Sequence, residues 1–269
     1  MRAISERGLV VQGCGKMGSA LLRGWLDSGV TPESVWINDP APSDWIQSLG
    51  IHLNADLPDA PAVVLMAVKP QIMQAALHAL RRLGGANSLF ISVAAGVTLA
   101  QFETVLGVQT PIVRVMPNTP AAVGQGISAL IGNVKADKTH LDLATELMAA
   151  VGQVVHLESE AQMDAVTGVS GSGPAYVFHL IETLAAAGIA EGLPRRLAFD
   201  LASKTVAGAG ALAQVSEETP EQLRINVTSP NGTTQAALDV LMDPITGFGP
   251  LLQRAVRAAS ARSKELSGE

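Results

Sequence analysis

The chain has 269 residues, 48% of them hydrophobic, with a formal net charge of −6 and a single cysteine. That length and apolar content supply a core for one large globular domain or two ordinary ones. The acidic balance, with one tyrosine and five phenylalanines, argues against a nucleic-acid surface, and lone Cys14 excludes an internal disulfide or a cysteine-rich zinc site.

No uninterrupted apolar run approaches the roughly 18 to 20 residues that cross a bilayer, so no membrane partner is expected and the surplus apolar surface should go into a subunit interface. The start, "MRAISERGLVVQGCG", carries charges and then only a short apolar run before glycines, which reads as cytoplasmic rather than as a secretory signal. His52, His78, His140, His156 and His179 have none of the three- or four-residue spacings of helical metal ligands, so no metal is implied. A small molecule is the expected partner.

Strands are expected at Leu9 to Gly13, Ser34 to Asn38, Ala62 to Val68, Ser88 to Val93, Pro111 to Met116, Ile127 to Gly132 and Gln153 to Leu157. Helical stretches closed by glycine lie between several of them, such as Met17 to Ser28 before Gly29 and Thr98 to Leu106 before Gly107. This alternation predicts an α/β domain with a parallel sheet covered on both faces. After Leu157 the pattern turns helical. Ser159 to Gln162 fits a capping box, Pro174 and Pro194 suit first helical positions, and Thr219-Pro220 combines a cap with a first-turn proline. The expected division is a Rossmann-like dinucleotide-binding domain over residues 1–160 and an all-α domain over residues 161–269.

Gly13-Cys14-Gly15-Lys16-Met17-Gly18 is a GxGxxG directly after the first strand and at the mouth of the first long helix. The first glycine permits a tight turn, the second lets a pyrophosphate approach the backbone, and the third lets helix and strand pack closely. Cys14 reads as a small member of this loop rather than as a nucleophile. After the second strand, Asp39 suits a ribose 2′-hydroxyl, which would favour NADH, or equally a turn before Pro40. Asn38 and Ser43 could instead donate to a 2′-phosphate. The segments "AVKPQ" from Ala67, "VAAGV" from Val93 and "RVMPNTP" from Arg114 also fall at strand ends, where ligands of open α/β sheets gather. Lys69 precedes a proline that pushes its backbone away from helix, although a lysine solvating a strand end has the same sequence.

"GVSGSGPAYVF" from Gly168 lacks the final glycine of a GxSxG elbow and follows no strand, so a hydrolase is not supported. Its glycines and Pro174 suggest a tight approach followed by a long helix, with Tyr176 at a partly buried position. "NVTSPNGTT", Asn226 to Thr234, is read as a loop entering a helix, with free amides and uncharged hydroxyls converging. Such an entrance suits a carboxylate.

The glycine loop with its methionine, "AVKP", "AAGVT", "MPNTPA", "GSGPAY", "GLPR" and "VTSPNGTT", in this order and spacing, resemble the pyrroline-5-carboxylate reductase family over nearly the whole chain. One residue departs: the family usually has two glycines after the proline, and Asn231 stands in the place of the first. The resemblance implies reduction of 1-pyrroline-5-carboxylate to L-proline by NADPH or NADH. It implies cofactor contacts from Gly13, Cys14, Gly15, Lys16, Met17 and Gly18, from Ala67, Val68, Lys69 and Pro70, from Ala95, Gly96 and Asn118, and from Glu160 and Asn226. It further implies that Ser229, Gly232, Thr233 and Thr234 hold the substrate, with Thr234 catalytic over the imine nitrogen. Helical C-terminal domains that form homodimers, often assembled into decamers, complete the expectation.

Overall fold

A computed structural model of the chain describes residues 1–267. Met1–Gly171 together with the stretch from Ala258 onward form one compact unit, and Ser172–Arg257 form a second.

In chain order the first unit contains α1 (Arg2–Arg7), β1 (Leu9–Gln12), α2 (Lys16–Asp27), β2 (Val35–Asn38), α3 (Asp44–Gln47), β3 (His52–Leu53), β4 (Val63–Met66), α4 (Pro70–Leu80) and β5 (Leu89–Ser92). It continues with α5 (Leu99–Leu106), β6 (Ile112–Met116), β7 (Gly126–Gly132), α6 (Lys138–Ala149), β8 (Gly152–His156) and α7 (Met163–Val166). The strands form one sheet in the order β3-β2-β1-β4-β5-β6-β7-β8. The order in which strands are added reverses between β1 and β4, which run parallel, and this switch point opens a crevice beyond their carboxyl ends.

Alternate strand residues feed two cores, as a sheet buried on both faces requires. Leu9, Val11, Leu65, Ile91 and Val113 pack with Leu22 and Trp25 of α2 and Leu147 of α6, and Trp25 Nε1 donates to the Leu147 carbonyl at 2.8 Å. Val10, Val64, Met66, Phe90 and Ile112 face the opposite way, against Met73 and Leu77 of α4 and Phe102 of α5.

The expected parallel sheet holds with one exception: β7 runs antiparallel to β6. The connection Pro117 to Gln125 consists largely of a 3₁₀ turn, Thr119–Val123, too short for a parallel crossover. The short edge strand β3 was absent from the sequence reading, because two residues with little burial give no period to read. Ser159 and Gln162 do form a capping box, over a 3₁₀ turn that leads into α7.

The second unit is helical: α8 (Gly173–Ala190), α9 (Arg195–Val215), α10 (Pro220–Asn226), α11 (Thr233–Leu241) and the first half of α12 (Phe248–Ser267). Pro174 lies in the first turn of α8 as expected. Pro194 is instead the residue before α9, with ψ of 139°; its ring fixes φ but leaves ψ free to turn the chain into the helix. The internal core of this unit is thin: Ala185, Ala198 and Ala202, with Ile181 and Phe199 against them. Phe178, Leu201, Leu212, Val240 and Leu251 are all more than 45% exposed. Helices this apolar outside and this sparse inside need a further surface to cover them. No helix among the described residues is long and apolar enough to cross a membrane.

Candidate active site

The candidate residues of the first unit fall in one row along the sheet's carboxyl edge. Asn38 pairs with Gln12, Gln12 with Met66, and Met66 with Ser92. The segments that follow these strands are therefore neighbours, joined by backbone bonds from Gly13 N to the Asn38 carbonyl (2.9 Å), Ala67 N to the Gln12 carbonyl (2.9 Å) and Val93 N to the Met66 carbonyl (3.1 Å).

Each loop glycine has its own geometry. Gly13 has φ of +80°, and a β-carbon there would stand 2.7 Å from Val68 Cγ1. Around Gly15 such a carbon would meet nothing within 4 Å, whereas at Gly18 it would lie 3.0 Å from the Gly13 carbonyl oxygen. Only the middle glycine opens onto free space, where a ligand can approach the backbone. Gly15 is also the N-cap of α2, without a side-chain cap, so the helix end offers unpaired amides and the positive end of its dipole. Lys16 is exposed and Met17 half-buried beside it.

Cys14 is nearly buried. Burial pushes its thiol up to about 11, opposed by the Ser19 hydrogen bond and assisted by the negative charge of Asp39. The thiol is therefore protonated at neutral pH, in keeping with a packing role. Alkylation of the native protein at pH 8 is expected to run about a hundredfold slower than that of free cysteine, as a mass-spectrometric time course would measure. Labelling at the free-thiol rate would contradict the burial.

Both readings of Asp39 bear on its geometry. Its Oδ1 accepts from Ala41 N at 2.8 Å, which closes the turn, and its Oδ2 accepts from Cys14 N in the glycine loop at 2.6 Å. Asn54, whose φ is +50°, clasps the Asp39 backbone in both directions, at 2.9 and 3.0 Å. The sequence reading had no part for Asn54. Asn38 donates to Gln12 Oε1 at 3.1 Å, and the Ser43 hydroxyl caps α3.

Lys69 is the exposed N-cap of α4, with ψ of 146° ahead of Pro70. After β5, Ala95 and buried Gly96 form a turn in which Gly96 has φ of +72°. Asn118 accepts from Ile127 N at 3.0 Å and donates to Ser170 at 3.4 Å, tying β6, β7 and the π-turn Thr167–Gly171 together. Glu160 reaches the same edge by another route: its Oε1 accepts from Leu99 N at 2.8 Å and from the guanidinium of Arg114, which is 5% exposed. A buried arginine inside the apolar strand "PIVRVM" was the available sequence signal for this pair.

In the second unit, Asn226 ends α10 and donates to both Glu218 carboxylate oxygens, at 3.0 and 2.9 Å. Gly232 N bonds to the Ser229 carbonyl at 3.0 Å, closing a turn with Pro230 second and Asn231 third. Asn231 has φ of +58°. Proline followed by a left-handed residue is the pattern of a type II turn, and asparagine tolerates that conformation, so the turn forms without the usual glycine. Gly232 is the N-cap of α11 and offers no side-chain cap. The first amides of α11 are thereby left for a ligand, beside the hydroxyls of Thr233 and half-buried Thr234. Tyr176 is half-buried in the first turn of α8.

A family model described as pyrroline-5-carboxylate reductase dimerisation matches residues 160–266. A second, described as NADP oxidoreductase coenzyme F420-dependent, matches residues 8–96. A pyrroline-5-carboxylate reductase of Pseudomonas aeruginosa is 40% identical over 261 residues, covering 95% of this chain and 95% of that protein. The solved structure of a pyrroline-5-carboxylate reductase from Coxiella burnetii matches with a TM-score of 0.88 at 35% identity, covering 97% of this chain and 98% of the other. Plasmodium falciparum pyrroline carboxylate reductase with NADP bound matches with a TM-score of 0.86 at 29% identity, covering 97% and 98%. With identity at this level sustained along nearly the whole length of its relatives, the chain belongs to the pyrroline-5-carboxylate reductase family.

Proposed function

We infer that the protein reduces 1-pyrroline-5-carboxylate to L-proline, in proline biosynthesis, with NADPH as reductant and NADH as the alternative. The observation that carries this reading is the α10–α11 entrance. It combines a charge-free turn, an uncapped helix start and two adjacent threonines. An acidic ring compound without a compensating cation needs such a set of neutral donors.

The residues along the sheet edge fit a nicotinamide dinucleotide, since Gly15 leaves open space ahead of the uncapped start of α2. Gly13 to Gly18 would hold its pyrophosphate, Asn38 and Asp39 would face the adenosine ribose, and Ala67 to Pro70, Ala95, Gly96 and Asn118 would line the remainder. Glu160 and Asn226 are assigned to its outer contacts. When bound, the reduced cofactor supplies a hydride to the imine carbon. The substrate imine can arrive already protonated, and no strong protein acid is then needed. The amides of Thr233 and Thr234, with Ser229 and Gly232, would fix the carboxylate, and the Thr234 hydroxyl would orient the nitrogen.

The exposed apolar residues of α8, α9 and α11 and the match to a dimerisation model support a homodimer; decamers built from such dimers are the higher assembly we assign. The cytoplasmic location expected from the N-terminal sequence belongs to the same reading.

Absorbance at 340 nm, followed with pyrroline-5-carboxylate and each reduced cofactor, tests the assignment. Oxidation of NADPH with formation of proline is expected. Oxidation of neither cofactor would overturn it.

A further inference from the structure

The Val93–Val97 loop is anchored at both ends within the first unit. Val93 N bonds back to the Met66 carbonyl at 3.1 Å. At the other end, Thr98 and Gln101 form a reciprocal capping box at the start of α5, and Glu160 accepts from Leu99 N at 2.8 Å. The middle of the loop meets the far end of the chain. A β-carbon at Gly96 would lie 2.6 Å from Leu266 Cβ and 3.2 Å from the Ser263 carbonyl oxygen. Leu266 also shares the wall of a hollow of about 300 Å³ with Pro70, Gln74, Gly96 and Gln101.

This end of α12 is fastened as well as packed. Ser263 is 3% exposed, and its hydroxyl donates to Asp164 Oδ1 at 2.6 Å. A serine so buried on a helix whose other polar residues are mostly exposed marks a docking point rather than a solvated face.

We infer that Ser263 and Leu266 are positioning residues of the cofactor site: through them the end of α12 holds the Ala95–Gly96 turn in the shape that receives the nicotinamide dinucleotide. The inference rests on the cofactor reading above and adds residues of the last helix to it. The residues involved, Ser263 and Leu266, belong to the part of α12 that lies in the first unit with this loop. A loop held in its ligand-ready shape spares the ordering cost of binding, and freeing it weakens affinity without touching a contact atom.

The test is direct NADPH binding, read by the fluorescence of the nicotinamide, with steady-state kinetics alongside. Ser263→Asp sets a second carboxylate against Asp164 and should free the helix end. It is expected to raise the NADPH dissociation constant about ten- to thirtyfold while the KM for pyrroline-5-carboxylate stays within about twofold. Adding Asp164→Asn replaces the repulsion with an amide donor facing a carboxylate, and should restore binding to within about threefold of wild type. Leu266→Ala, which leaves the Ser263 bond in place, should weaken binding about threefold. The inference is overturned if Ser263→Asp and Leu266→Ala bind NADPH as wild type does, or if the second substitution gives no rescue. Failure of the wild-type protein itself to bind NADPH would overturn the cofactor reading, and this inference with it.

Discussion

Replacing Thr234 by alanine is expected to lower kcat about 10²-fold, the cost of losing one oriented donor at a reacting centre. Thr234 is the second residue of α11, directly after the Gly232 cap, and is half-buried. Its amide and its hydroxyl have different tasks in the proposed site. The amide belongs to the helix end that fixes the carboxylate, and alanine retains it. In that proposal the hydroxyl would act on the imine nitrogen, whose charge state changes as hydride arrives. The loss should therefore fall on kcat, with the KM for pyrroline-5-carboxylate changing only a few-fold. Thr234→Ser keeps the hydroxyl and should retain most of the rate. An unchanged kcat in Thr234→Ala would remove this hydroxyl from the mechanism.

The sheet was legible in the sequence because its inner strands are short apolar runs with glycine or proline within a few residues of their ends, and because helical stretches closed by glycine lie between several of them. Direction was less legible than position. The residues of β7 read equally well parallel or antiparallel, and the short 3₁₀ connection from β6 decided the matter. Within the site, the glycine loop could be read residue by residue, since each glycine's task follows from backbone geometry that one motif encodes. Asp39 could not. Its neighbours allow a turn or a ribose acceptor, and what fixes the carboxylate is a loop amide 25 positions earlier together with the turn amide of Ala41. Asn54 and Ser263 were invisible for a similar reason. Each is an ordinary polar residue locally, and acquires a role only through a partner distant in sequence, Asp39 in one case and Asp164 in the other.

The Arg114–Glu160 pair leads to the second large effect. Arg114 sits in β6 with its side chain 6% exposed, and the carboxylate of Glu160 is its ion-pair partner. The same Glu160 oxygen caps Leu99 at the start of α5. Glu160→Ala would leave a guanidinium buried without its counter-charge and an amide without its acceptor, a change far costlier than loss of a surface bridge. Because Glu160 itself keeps 31% of its side-chain exposure, the expected loss is at the low end for buried pairs, about 3 kcal/mol, or a fall of roughly 6 to 12 °C in Tm. Adding Arg114→Met removes the stranded charge and should recover part of that loss, the remainder reflecting the Leu99 amide left without its acceptor and the space vacated by the Glu160 side chain. Calorimetry of the two single variants and the double variant forms a complete cycle. A loss below about 1 kcal/mol for Glu160→Ala, the range of an exposed bridge, would show that water reaches Arg114 and that the pair does not anchor β6 to α5.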